Sequence, residues 1–139
     1  MSGGYRILEH PADLGIEARG RSIGEAFEHA AEGLIAILLD PEQIRPREEL
    51  RVHLAASDRE HLLVRWLSEI LYQIDGRGFV PRAFAVELRG ETELLATLMG
   101  EALDLRRHAT RTDVKAVTYH QLSVRETEAG VLLTVFLDI

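Results

Sequence analysis

Two helices packed on one face of a mainly antiparallel sheet, a two-layer α+β fold, is the architecture this sequence predicts. Three observations lead there. Two stretches carry apolar residues at the three- and four-residue spacing that gives a helix one buried face. Most of the remainder alternates apolar and polar residues, or runs apolar, as strands do. The chain has 139 residues, enough for one real hydrophobic core, so a single domain spanning 1–139 is expected. The order reads β-β-α-β-α-β-β-β-β, and helices laid on one antiparallel sheet satisfy it with the fewest elements.

Residues 5–8 and 14–19 are short strand candidates, with Gly20 as a turn residue. Ser22-Ile23-Gly24-Glu25 has the form of a capping box, the Ser hydroxyl accepting from the Glu25 N–H and the carboxylate reaching back. The helix after it places Ala26, Phe27, Ala30, Ala31, Leu34, Ile37 and Leu38 on one face. It should end near Leu39, before Asp40-Pro41. Residues 41–47 read as a polar loop, and 50–54 alternate like a half-buried strand. Ser57-Asp58-Arg59-Glu60 is a second capping box. Its helix buries Leu62, Leu63, Trp66, Leu67, Ile70, Leu71 and Ile74, and 75–78 should stop it. Phe84, Val86 and Leu88 alternate with Glu87 and Arg89, and 92–104 is a further strand, less regular around Gly100. Residues 106–113 are polar and rich in basic side chains. Residues 114–125 and 131–139 then read as two strands joined at Glu128-Ala129-Gly130. The last is apolar almost throughout, so it should be central.

Composition narrows the function. The chain is 46% hydrophobic and 28% charged, with a net charge of −7. Such a chain repels phosphate backbones at long range unless its arginines cluster, so direct nucleic-acid binding is not the first expectation. With 0 Cys, disulfides and thiolate metal sites are excluded. There is no run of membrane-helix length and no secretory-type leader in MSGGYR; a cytoplasmic location without membrane association is expected.

The stretch LEHPADLG breaks two strands with Glu9, His10, Pro11 and Asp13. Asp13 and Asp138 each sit at a strand end beside residues that should be buried, and a partly buried carboxylate needs a cation, hydrogen bonds or a proton. For Asp13 alone an ordinary turn, bonding the backbone two residues on, accounts for it. Asp138 is followed only by Ile139 with its α-carboxylate. If the strand is ordered to its end, two negative groups lie close together, and a hard divalent cation such as Ca²⁺ or Mg²⁺ would compensate them. A frayed, solvated end is the alternative, opposed by the apolar run 131–137.

His10, His108 and His120 raise a zinc reading, but no pair has the helical i, i+4 spacing of a zinc motif. No phosphate loop is present: Gly76-Arg77-Gly78 lacks the Lys-Ser/Thr and follows a helix. Ser57 has no glycine elbow. Glu9 with Asp13, or Glu101 with Asp104, are carboxylate pairs of a kind that charged surfaces give by chance. Arg106-Arg107-His108 is a basic cluster in an acidic chain: a solvated loop, an anion contact, or a charge partner for carboxylates.

Taken together these residues resemble the archease family. Glu9-His10-Pro11-Ala12-Asp13 is similar to its E-H-T-A-D element, Gly100-Glu101 to its G-E, and Arg107-His108 to its K-H. Lys115-Ala116-Val117-Thr118-Tyr119-His120 is similar to its K-A-[VI]-T-Y-H strand, and Asp138-Ile139 to its terminal D-I. The resemblance runs from about Ile7 to the last residue. It implies a strand-helix-strand-strand module with added strands, and an accessory role rather than an enzymatic one. The family activates the RtcB-type RNA ligase of tRNA splicing, promoting its guanylylation on a histidine with GTP and divalent metal, supporting multiple turnover and widening nucleotide choice. Association with tRNA would then be indirect. The resemblance further implies a bound metal, Ca²⁺ first and Mg²⁺ or Mn²⁺ as alternatives, with Asp13, Asp138 and the carboxylate of Ile139 as ligands. Glu9, His10, Glu101, Arg107, His108, Lys115 and His120 would support the site or contact a partner or anion. Pro11 for Thr removes a hydroxyl and an N–H; Arg107 for Lys keeps the charge but changes its shape. Two rival classes stand beside this: a small metal-dependent hydrolase using the same carboxylates with His10 or His120 as base, and a general chaperone or scaffold, which predicts a large exposed apolar patch.

Overall fold

The computed structural model describes residues 3–9 and 13–139. The expectations resting on His10 and Pro11 lie outside the described residues. Strand β1 (Gly4–Glu9) pairs antiparallel with β2 (Asp13–Gly20), Ile7 facing Ile16. On β2 the alternation buries Ile16 and Ala18. Helix α1 (Ile23–Leu38) starts at Ser22, whose Oγ accepts from the Glu25 N–H at 3.1 Å. It packs Ala26, Phe27, Ala30, Ala31 and Leu34 out of solvent. Beyond it Asp40 caps a 3-10 turn (Pro41–Gln43) inside the expected loop.

Strand β3 (Glu48–Ala55) leads to helix α2 (Arg59–Arg77). Here the cap is Asp58, not Ser57: its Oδ1 accepts from the His61 N–H at 2.8 Å. A carboxylate at that position also meets the positive end of the helix dipole, an advantage a hydroxyl lacks. The helix continues through Gly76 and stops at Gly78, which is left-handed (φ 63°). Strands β4 (Phe79–Arg89) and β5 (Glu93–Ala102) form a long hairpin. The single strand expected over 114–125 is two pieces, β6 (Ala116–Val117) and β7 (Ser123–Thr127), both paired with β8 (Gly130–Asp138). Val117 faces Leu137 and Ser123 faces Thr134, so residues 118–122 loop out opposite 135–136. Strand β8 is central, as its apolar run predicts, lying between β2 on one side and β6 and β7 on the other.

The α+β class and the antiparallel pairing hold, but the strands divide between two sheets rather than one. The first has the order β1-β2-β8-β6 with β7 also on β8; the second is β3-β5-β4. The division has a local cause. The outer edge of β4 is taken by α1 instead of another strand: the Glu28 carboxylate accepts the Val86 N–H at 2.7 Å. An edge donor satisfied by a side chain has no strand to recruit. Helix α1 packs on β1, β2 and β8 and along β4, while α2 meets β3, β4, β6 and β7, so the helices join the sheets in one core. Trp66 sits at its centre, donating Nε1–H to the Phe27 carbonyl (3.0 Å) and standing edge-on to Phe84. Among the described residues, no helix is long and apolar enough to cross a membrane.

Candidate functional site

Asp13 opens β2 and Asp138 closes β8, and the register sets them opposite one another, with Ala116 of β6 on the other side of Asp138. Cross-strand partners point to the same face, their Cβ atoms about 4.5–5.5 Å apart. The next pair, Leu14 with Leu137, has Leu137 fully buried, so the two carboxylates lie on the face away from the helices. Asp13 is half-buried and Asp138 exposed. Like charges directly opposite are destabilising unless something neutralises them. The Lys115 N–H holds the Asp138 carbonyl at 2.8 Å, and the half-buried Ile139 side chain packs against the core. Both contacts order the strand end.

The face beneath the carboxylates is built around Phe136, which is 2% exposed despite pointing away from the helices. Gly15 lies opposite it in register. A Cβ on Gly15 would come within 2.7 Å of the Phe136 ring, so this strand position must lack a side chain for the ring to lie across it. His120 covers the ring from the other side, centroids 5.9 Å apart. Thr118 places it: its N–H and Oγ1–H both donate to the Phe136 carbonyl (2.9 and 3.1 Å), and Oγ1 accepts the His120 N–H (3.2 Å). The T-Y-H segment is thus the looped-out stretch that carries an exposed imidazole to the row beside the carboxylate pair. Tyr119, 57% exposed, leans on His61 instead.

A second group of expected residues meets elsewhere, on the β5 side. Glu101 is 5% exposed and His108 0%. Glu101 Oε1 accepts from Arg107 Nη2 at 2.7 Å, and Oε2 accepts from His108 Nε2 at 2.9 Å and from the Arg45 N–H at 2.8 Å. His108 Nδ1 accepts the Asp104 N–H (2.9 Å), which fixes the tautomer with the proton on Nε2. Burial pushes the Glu101 pKa up. The Arg107 guanidinium, the Arg45 N–H and His108 together outweigh this and hold the carboxyl at about 2. Gly100 precedes it because a Cβ there would fall 2.0 Å from the Val80 carbonyl oxygen. Arg107 Nη1 also reaches the Gln43 carbonyl (3.2 Å). This network clamps three remote segments, and both ring nitrogens of His108 are committed within it.

The structure therefore brings Asp13, Asp138 and Ile139 to one strand end with the Lys115 backbone and His120, and gathers Glu101, Arg107 and His108 on the second sheet. Glu9 pairs with Leu14 and so lies on the opposite face from Asp13. The sequence reading missed Gly15, Phe136 and Thr118. The available signal was a glycine inside an otherwise regular strand, which marks a close approach. As to a metal, Asp13 and Asp138 offer hard oxygen donors of the kind Ca²⁺ takes. Among the described residues no three His, Cys, Asp or Glu side chains gather around one point, so a cation there needs the Ile139 carboxylate or water besides the two aspartates.

Comparison with known proteins agrees with this fold. Residues 5–139 match the model of the Archease protein family (MTH1598/TM1083). The chain is 38% identical over 136 residues to protein archease of Saccharolobus solfataricus, covering 97% of this chain and 98% of that one. With the Methanosarcina barkeri archease it shares 37% over 139 residues, covering 97% and 95%. Among solved structures, it superposes on the solution structure of Methanobacterium thermoautotrophicum protein 1598 with a TM-score of 0.82 at 29% identity, covering 98% and 99%. On the crystal structure of a Thermotoga maritima archease, described as a possible chaperone, the TM-score is 0.66 at 21% identity, covering 96% of each chain. On these matches and this fold, the chain belongs to the archease family.

Proposed function

We propose that this chain is an accessory protein that activates an RtcB-type RNA ligase in tRNA splicing, promoting the ligase's guanylylation and its multiple turnover, and widening the nucleotides it accepts. The observation that carries the reading is the register pairing of Asp13 with Asp138. Two acids are set face to face on a strand end that Lys115 and Ile139 hold in place. Two carboxylates held side by side on an ordered strand end are hard oxygen donors of the kind a divalent cation takes. Asp13, Asp138 and the Ile139 carboxylate would hold a divalent cation, Ca²⁺ before Mg²⁺ or Mn²⁺. Bound there, it would cancel the repulsion and leave coordination positions for phosphate oxygens. The chain's own residues do the rest. Phe136 and Gly15 give the pair a flat, rigid floor, Thr118 orients His120 beside it, and Ala116 leaves the approach unobstructed by a large side chain.

The accessory reading suits the site better than hydrolysis. Asp138 and His120 are exposed to solvent, whereas hydrolysis calls for a site that excludes water from the reacting bond. A general chaperone is disfavoured by the surface: the large exposed hydrophobics among the described residues are Tyr5, Tyr72, Leu105 and Tyr119, one at a time rather than in a patch. The test is a ligase assay with GTP, following the ligase–GMP adduct and RNA turnover. Wild-type protein should stimulate both; Asp13→Ala and Asp138→Ala should abolish stimulation while melting near the wild-type temperature. Full stimulation by either variant would remove the carboxylates from the function. Turnover of generic phosphoesters by the chain alone would favour the hydrolase.

A further inference from the structure

The turn between Leu103 and His108 does something the carboxylate site does not explain. Leu105 at its tip is 72% exposed, more than any other large hydrophobic among the described residues. It is not on a loose loop. Asp104 Oδ1 accepts the Arg106 N–H (3.0 Å), and the Asp104 carbonyl accepts from both Arg107 and His108 (3.0 and 2.7 Å). Below it, Glu101, His108 and Arg107 lock the turn to β5 and to the segment around Gln43 and Arg45. An apolar side chain held outward by a buried ionic clamp loses little freedom on docking, which is how a contact residue becomes a hot spot.

Its surroundings specify the partner. Arg111 is drawn to Asp40 (3.8 Å), and Arg107 to Glu101 and Asp104. Arg45, Arg47 and Arg106 are exposed and enter no ion pair among the described residues. The clamp holds the segments that carry them together: the Arg45 N–H is bonded to Glu101, and the Arg47 N–H to the Gly100 carbonyl beside it. Arg106 adjoins the apolar tip in sequence, and Arg45 and Arg47 stand on a segment tied to Glu101 and Gly100 at the base of the turn, in a chain of net charge −7.

We infer that the Leu105 turn is a preorganised docking knob for a protein surface with an apolar socket rimmed by carboxylates. Resting on the reading above, we assign that socket to the RNA ligase, at a place separate from the Asp13–Asp138 site. An apolar tip needs a socket to be desolvated, which a nucleic-acid backbone does not offer, and the arginines at the rim steer the encounter.

The experiment measures binding of the full chain to an RtcB-type ligase by biolayer interferometry, with GTP and Mn²⁺ present, and stimulation of guanylylation alongside. Leu105→Asp and Leu105→Ala should melt as wild type does, because the side chain is outside the core. Both should raise Kd, Leu105→Asp at least tenfold, with full stimulation regained at high protein concentration. Arg106→Glu should slow association and flatten the loss of binding with salt, because an attractive charge contact is gone. Asp138→Ala should fail to stimulate at any concentration, which separates docking from action. A folded Leu105→Asp that binds like wild type overturns the inference while leaving the ligase reading intact. Wild-type protein that neither binds nor stimulates the ligase ends both. Arg106→Glu weakening the retention of a labelled tRNA half, with ligase binding unchanged, overturns it in favour of an RNA contact.

Discussion

Glu101 shows how much a single residue can hold. Its carboxylate receives three donors from two segments, the Arg45 N–H and the Arg107-His108 turn, while almost fully buried. Glu101→Gln removes the close charge partner of Arg107 (2.7 Å), leaving it only the longer Asp104 contact (3.9 Å), and should destabilise the fold by about 2–4 kcal/mol at pH 7. The pH dependence follows from the sign of the shift. A carboxyl held at about 2, against 4.5 ordinarily, contributes stability that is fully present above the ordinary value and is lost as pH falls through about 2. The gap between wild type and variant in urea unfolding should therefore be constant from pH 7 to about 5 and narrow as the pH falls from about 4.5 toward 2. A gap independent of pH would mean that the charge is not what matters. Gly15→Ala is the second residue-scale prediction. Its Cβ meets the Phe136 ring at 2.7 Å, and overpacking of this kind costs about 1–3 kcal/mol. Asp13 and Asp138 were legible in the sequence because a polar residue between apolar strand positions is conspicuous by itself. The Glu101 clamp was not, because its meaning lies in the Arg45 and Asp104 N–H groups, which only the folded chain brings near.

At the scale of elements, the strands and helices were read from periodicity, and the departures have local chemistry behind them. The expected strand over 114–125 alternates well enough, but beyond Thr118, whose N–H still donates to the Phe136 carbonyl, the chain turns: the Leu122 N–H closes on the Tyr119 carbonyl (3.4 Å), Gln121 is left-handed (φ 51°) and the Thr118 hydroxyl holds the His120 N–H. Thr118→Val should cost about 1 kcal/mol and release His120 from Phe136, visible as narrower chemical-shift dispersion for the His120 imidazole protons; an unshifted imidazole would show that another contact places it. The start of α2 gives a sharper comparison. With Asp58 as the cap, Asp58→Ala should lower stability by about 1 kcal/mol, and Ser57→Ala by much less. Equal losses would return the cap to Ser57. Periodicity finds a helix but does not choose between two adjacent capping residues, since that choice turns on one backbone angle.

The whole molecule is two antiparallel sheets joined by a pair of helices, with Trp66 donating to the Phe27 carbonyl at their junction. The sequence does not distinguish one sheet from two, because both bury the same residues. The difference is who occupies the edge of β4, where α1 packs and the Glu28 carboxylate takes the Val86 N–H. In this arrangement the carboxylate pair and the Leu105 turn belong to different sheets, so one face can be altered without the other. Ligand linkage then makes a molecule-wide prediction: a cation binding only the folded chain raises its melting temperature, and at a concentration 100 times Kd it adds about 2.7 kcal/mol. Asp138→Asn should keep the fold in EDTA and should gain nothing from Ca²⁺.

The most direct measurement is calorimetric titration of the chelator-treated protein with Ca²⁺, and in parallel with Mg²⁺ and Mn²⁺, for wild type, Asp138→Asn and a chain extended by a few residues beyond Ile139. One site per wild-type chain, lost in Asp138→Asn and weakened by the extension, is the predicted result. No binding by the wild type, or binding that survives both changes, would contradict it.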